Sequence, residues 1–122
     1  MTTVIPPECA TTARIELTAA TPDEIVARVR PDRDDPAFAG HYPGFPLLPG
    51  VYLFDYVHRT VLAADPELVL TELVSCRFLR TVDLDDELTV TVQGTGSRRS
   101  GTVTVDGVPV AEVVLHYQDG EE

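Results

Sequence analysis

From Ala13 the chain alternates. Ala13, Ile15 and Leu17 point one way while Arg14, Glu16 and Thr18 point the other, the period-two pattern of a half-buried strand. Thr21-Pro22-Asp23 reads as a turn, and Ile25, Ala27 and Val29 set against Glu24, Arg28 and Arg30 predict a second strand. Between residues 31 and 50 the pattern stops. Pro31, Pro36, Pro43, Pro46 and Pro49 fall there together with Gly40, Gly44 and Gly50, a density that no helix or sheet tolerates. The segment is therefore expected to be a long, ordered, functional loop. Residues 51–64, VYLFDYVHRTVLAA, contain no Gly or Pro. Val51, Phe54, Val57, Val61 and Leu62 recur at helical spacing, and Tyr52, Leu53 and Tyr56 spread apolar surface around most of the cylinder, which predicts a buried helix ended by Asp65-Pro66. Alternation then returns at Val74, Cys76 and Phe78, at Leu88, Val90 and Val92, at Val103 and Val105, and from Val110 to Tyr117. Turns are expected over 94–101 and at the hairpin signal Asp106-Gly107.

This order, two strands, a Pro/Gly loop, one helix and about four strands in meander, predicts an α+β domain in which one helix packs on an antiparallel sheet. Residues 13–118 form that single domain, with an N-terminal arm over 1–12 and an acidic tail over 119–122. One helix covers only part of such a sheet, so a partner subunit is expected. The chain is 122 residues long and 43% hydrophobic, enough for one core without staples. Its 20 acidic residues against 9 basic ones give a net charge of −11, which argues against binding to nucleic acid or to an anionic membrane. All nine bases are arginine; the absence of lysine removes Schiff-base chemistry and the phosphate-loop lysine. Cys9 and Cys76 lack CxxC spacing and read as free thiols of a reducing compartment. No apolar run approaches the ~18 residues of a membrane span, and MTTVIPPECA is unlike a signal peptide, so a cytoplasmic location is expected.

The chemistry concentrates in Gly40-His41-Tyr42-Pro43-Gly44-Phe45-Pro46-Leu47-Leu48-Pro49-Gly50-Val51 and the helix it enters. Prolines and glycines fix the backbone around His41, and Pro49-Gly50 delivers the chain into a helix N-terminus, whose unpaired N–H groups can hold a developing oxyanion. Asp55 follows on an otherwise apolar helix, where a carboxylate is costly unless paired, metal-bound or used. Arg59, four residues on, offers an ordinary ion pair. His58, three residues on, would supply half a metal site, but no further ligands cluster with it and no metal is expected. His116, in the last strand, reads as structural.

The run GHYPGFPLLPGV, with an acid fourteen residues after the histidine, resembles the active-site signature of the beta-hydroxyacyl-(acyl carrier protein) dehydratases. Tyr42 stands where the family carries Phe, Asp55 is the Asp form of its Glu or Asp, and CRFLR at 76–80 with DDEL at 85–88 extends the likeness. The resemblance implies a hot-dog fold, an antiparallel sheet wrapped around one long central helix, and dehydration of a 3-hydroxyacyl thioester to the trans-2-enoyl product in fatty-acid or polyketide biosynthesis. His41 would be the base and Asp55 the acid, meeting from different subunits of a dimer. The N–H of Gly50, with Val51 as a second donor, would bind the thioester oxygen. No cofactor is implied, since the substrate carries its own phosphopantetheine. Arg59 stands where the family has Gln and would modulate Asp55 by keeping it ionised. The partner implied is an acyl carrier protein, with Arg77, Arg80, Arg98 and Arg99 as candidate docking residues, and the assembly a homodimer or a heterodimer with a related subunit. Two rivals remain: a hot-dog acyl thioesterase, and a non-catalytic or half-site subunit of a heterodimeric dehydratase.

Overall fold

The computed structural model describes residues 13–31, 50–83, 85–94 and 96–119. The loop bearing His41, the arm over 1–12 and the tail beyond Asp119 lie outside the described residues. Six strands, β1 (Arg14–Ala20), β2 (Glu24–Arg30), β3 (Leu68–Phe78), β4 (Leu88–Gln93), β5 (Arg98–Val105) and β6 (Val108–Asp119), form one antiparallel sheet in the order β1-β2-β4-β5-β6-β3. The helix α1 (Gly50–Ala64) packs on its inner face. This is the α+β arrangement expected, with one change of connection. β4, β5 and β6 form a meander, whereas β3 crosses to the far edge and pairs with β6, from Leu68↔Asp119 to Phe78↔Ala111.

Local chemistry fixes the corners. At the β1–β2 turn the Glu24 amide donates to Thr21 Oγ1 at 3.0 Å and the Thr21 amide to the Glu24 carbonyl at 2.8 Å. Asp106 and Gly107 both take positive φ, 52° and 81°, which closes the β5–β6 hairpin in two residues as its sequence predicts. The helix makes its last turn at the Asp65 amide, which donates to the Val61 carbonyl at 2.8 Å, before Pro66 stops it.

The core lies between α1 and the sheet. Tyr52, Leu53, Tyr56, Val57, Thr60 and Val61 form the buried helix face, against Ile25, Val29, Val90, Val103, Leu115 and Tyr117. Thr60 satisfies its hydroxyl by donating to the Tyr56 carbonyl at 2.8 Å. The opposite helix face differs from the expectation of a helix buried all round: Phe54, Asp55, His58, Arg59 and Leu62 are only half-buried. The same incomplete cover shows on β3. Leu73, Cys76 and Phe78 face inward with Leu115, Val113 and Ala111, yet Leu73 remains 45% and Phe78 52% exposed. Cys76 is half-buried against the core, whereas Phe78, beyond it on the same face, is left largely uncovered.

Helix and sheet pack tightly at Gly101 on β5, where an added Cβ would sit 2.5 Å from Val57 Cγ1. Gly101→Ala is therefore expected to cost about 1–3 kcal/mol through overpacking, read as a lower urea midpoint. Adding Val57→Ala should recover part of that loss. Strictly additive losses would show that helix and sheet do not meet there.

Candidate active site

The half-buried face of α1 carries the polar side chains. The Asp55 side chain is 13% exposed, and Arg59 Nη1 lies 4.0 Å from its Oδ2. The guanidinium is not committed to the carboxylate, because Nη2 donates to the Ala13 carbonyl at 3.1 Å. Arg59 therefore ties the helix to the start of β1 and meets Asp55 only at the outer limit of an ion pair.

One turn along the same face, His58 stacks between Phe54, at 6.3 Å between ring centroids and 5° between planes, and Tyr117 of β6, at 5.7 Å and 16°. His58 Nδ1 and Tyr117 Oη are 2.9 Å apart. Burial pushes the His58 imidazole below its ordinary value, against the opposing pull of the Asp55 carboxylate. Burial likewise pushes the Tyr117 phenol well above its ordinary range, against the pull of the Arg99 guanidinium. The ring is thus neutral and the phenol protonated near neutral pH. From the sequence alone His58 offers only half a metal site. Its spacing from Asp55 was visible, but the tyrosine that engages it comes from a strand fifty-nine residues away. Among the described residues no group of three or more His, Cys, Asp and Glu side chains gathers into a metal site.

At the other end of α1 lies a cavity of about 440 Å³ lined by Thr21, Pro22, Asp65, Gly96 and Arg99. Arg99 Nη2 donates to Asp65 Oδ2 at 3.2 Å and Nε to the Gly96 carbonyl at 3.1 Å, with the Arg99 side chain 7% exposed. This corrects one expectation: Arg99 faces inward on β5 and is spent on Asp65, so it offers nothing to a docking protein. Arg77, Arg80 and Arg98 are exposed, Arg77 on the outer face with Glu112 at 3.4 Å. Of the loop residues, Gly50 opens α1, while the side chain of Val51 and all of His41 lie outside the described residues.

The profile of the ApeI-like family, ApeI dehydratase, matches residues 17–111, a span that includes β2, α1 and the sheet up to β6. The chain belongs to this dehydratase family. It is 31% identical over 116 residues to the 3-hydroxyacyl-(acyl-carrier-protein) dehydratase FabZ of Solibacter usitatus, covering 82% of this chain and 72% of that one. The fold matches the dehydratase heterocomplex ApeI:P from Xenorhabdus doucetiae with a TM-score of 0.75 at 17% identity, over 89% of this chain and 98% of the other. It also matches a hypothetical thioesterase from Streptococcus pneumoniae solved with coenzyme A, with a TM-score of 0.67 at 16% identity, over 89% and 90% of the two chains. These likenesses establish the hot-dog fold. No described helix is long and apolar enough to cross a membrane.

The neutral His58 gives a stability signature. The folded ring binds a proton less readily than the unfolded chain, whose value is 6.5, so acid favours unfolding. The contribution is intact above that value and is lost progressively as pH falls from it toward the lower value of the folded ring. Between about pH 7.5 and pH 5 the wild type should lose more of its urea midpoint than His58→Leu. Equal losses would show that the ring is not held neutral.

Proposed function

We propose that this protein eliminates water from a 3-hydroxyacyl thioester, carried on an acyl carrier protein, to give the trans-2-enoyl thioester in fatty-acid or polyketide biosynthesis. The observation that carries this is Asp55, a carboxylate on the half-covered face of a helix whose first residue, Gly50, ends the run GHYPGFPLLPG, in a chain of a dehydratase family. The FabZ relative bears the same activity in its name.

In the proposed reaction His41 removes the proton alpha to the carbonyl, and the C–H electron pair moves into an enolate. The amides of Gly50 and Val51, at the positive end of α1, donate to the enolate oxygen. The pair then forms the alpha–beta double bond while the beta-hydroxyl leaves with a proton from Asp55 as water. His41 is left protonated and Asp55 ionised, and exchange with solvent resets both. These steps require no metal or organic cofactor. Arg59, held by the Ala13 carbonyl, lies 4.0 Å from the Asp55 carboxylate and so stands beside the proposed proton donor.

Two chains are proposed to complete the site, His41 of one meeting Asp55 of the other. The exposed inner side chains of the edge strand, Leu73 and Phe78, support this, because a second subunit would cover them. Arg77, Arg80 and Arg98 are the basic residues left to receive an acidic carrier, and a free Cys76 suits the reducing cytoplasm where such carriers would work. A second reading, a half-site subunit that pairs with a related chain, is favoured by the heterocomplex named for the ApeI:P structure.

Purified protein incubated with 3-hydroxyacyl carrier-protein thioesters should generate enoyl absorbance and an 18-dalton mass loss (roughly one water) on the carrier. His41→Ala should abolish turnover, and Asp55→Asn should lower it at least ~100-fold. Release of free acid would instead make the chain a thioesterase, and undiminished dehydration by His41→Ala would overturn the mechanism.

A further inference from the structure

The pair His58–Tyr117 is a polar device in a place where packing alone asks for apolar residues. Tyr117 is fully buried, and its hydroxyl proton has one acceptor among the described residues, His58 Nδ1 at 2.9 Å. A buried phenol retains its proton and donates it, and a neutral imidazole that accepts at Nδ1 carries its own hydrogen on Nε2. The tautomer is therefore set by Tyr117, and stacking between Phe54 and Tyr117 fixes the plane of the ring. Nε2 has no hydrogen-bond partner among the described residues, and His58 as a whole is only half-buried. The result is a rigid, uncharged N–H donor, oriented from behind, on the face of α1 that carries Asp55.

Its position relative to substrate follows from the proposed roles on α1, on which this inference rests. The thioester oxygen lies at the Gly50 end and the beta-hydroxyl at Asp55, so the acyl chain continues toward the C-terminal end of the helix. His58 is three residues beyond Asp55, a rise of about 4.5 Å, beside the chain a few carbons past the reacting centre. Its flanks there are apolar: Phe54 stacks on the ring from the helix, Leu62 follows one turn on, and Leu70 of β3 pairs with Tyr117. A saturated chain would need only apolar walls, and a lone donor among them would lose its hydrogen bond to water whenever such a chain covered it.

We propose that His58 is a specificity-determining residue whose Nε2–H reads a hydrogen-bond acceptor on the acyl chain, so that the preferred substrates are 3-hydroxyacyl thioesters with a second oxygen, a hydroxyl or carbonyl, near the fifth to seventh carbon. An acyl group that keeps oxygen at alternate carbons belongs to a chain only partly reduced between condensations. The reaction class that supplies this substrate is thus a ketoreduction in a synthesis that leaves earlier oxygens in place.

The test compares pantetheine thioesters in matched pairs. For turnover, 3,5-dihydroxyhexanoyl and 3,7-dihydroxyoctanoyl thioesters are set against 3-hydroxyhexanoyl and 3-hydroxyoctanoyl. For binding, 5-hydroxyhexanoyl and 7-hydroxyoctanoyl thioesters are set against hexanoyl and octanoyl, which cannot be dehydrated, by calorimetry on the assembled protein. The wild type should prefer the oxygenated member of at least one pair by roughly 3- to 10-fold, the worth of one neutral hydrogen bond, in kcat/KM and in affinity alike. His58→Leu should bring the ratio to about one. Tyr117→Phe, which deletes one oxygen from the core and frees the tautomer, should lower the ratio part of the way. Ratios near one in the wild type, or equal preferences in wild type and His58→Leu, would overturn the assignment. Absence of dehydration with the binding preference intact would instead contradict the proposed reaction and leave His58 as the selector of an oxygenated acyl group.

Discussion

A fifteen-residue helix is about 22 Å long and, with its side chains, roughly 10 Å wide, whereas six strands spaced ~4.8 Å apart make a sheet more than twice that breadth. The sheet must curl to use the helix, and even curled it is not fully covered. That mismatch organises the molecule. Helix and sheet meet where Gly101 admits Val57 and where Tyr52, Leu53, Tyr56 and Val61 pack into the core. What remains is a helix face carrying Phe54, Asp55, His58 and Leu62, and an edge strand whose inward Leu73 and Phe78 are still wet. A fully covered helix would seal its carboxylate from solvent; an uncovered one would leave it fully hydrated. Asp55 sits between these limits.

On that face every polar group has a tether. Arg59 is held by the Ala13 carbonyl and so does not collapse onto Asp55. His58 is held by Tyr117, and Tyr117 lies within the field of Arg99, which is itself anchored by Asp65 and the Gly96 carbonyl. The chain of contacts runs from one end of α1 to the middle and uses side chains from β5 and β6. Polar groups in such a setting are stabilised when all are satisfied and costly when one is lost, which is why each tether also fixes an orientation.

Much of this was legible in the sequence where local chemistry decides. Strict alternation located β2 and β4, Asp106-Gly107 located a hairpin, and the spacing of histidine, prolines, glycines and acid pointed to the dehydratase family before any geometry was known. The first half of β3 was missed because register shifts between Leu70 and Glu72 and between Leu73 and Ser75 break the period of two. Its place beside β6 depends on a crossover that order along the chain does not encode. Arg99 was expected on the surface because a charged residue usually is; its burial depends on Asp65, thirty-four residues away. The same holds for His58, whose partner is a strand tyrosine that looks like ordinary core.

The central claim is that the helix carries half of a site and that a second chain supplies the other half. It is tested most directly by mixing two inactive variants, His41→Ala and Asp55→Asn, under conditions of verified subunit exchange. If His41 of one chain serves Asp55 of another, each mixed dimer holds one intact site, and the mixture should regain about a quarter of wild-type dehydration. A mixture that exchanges subunits yet stays as inactive as either variant alone would show that the pair does not act across the interface.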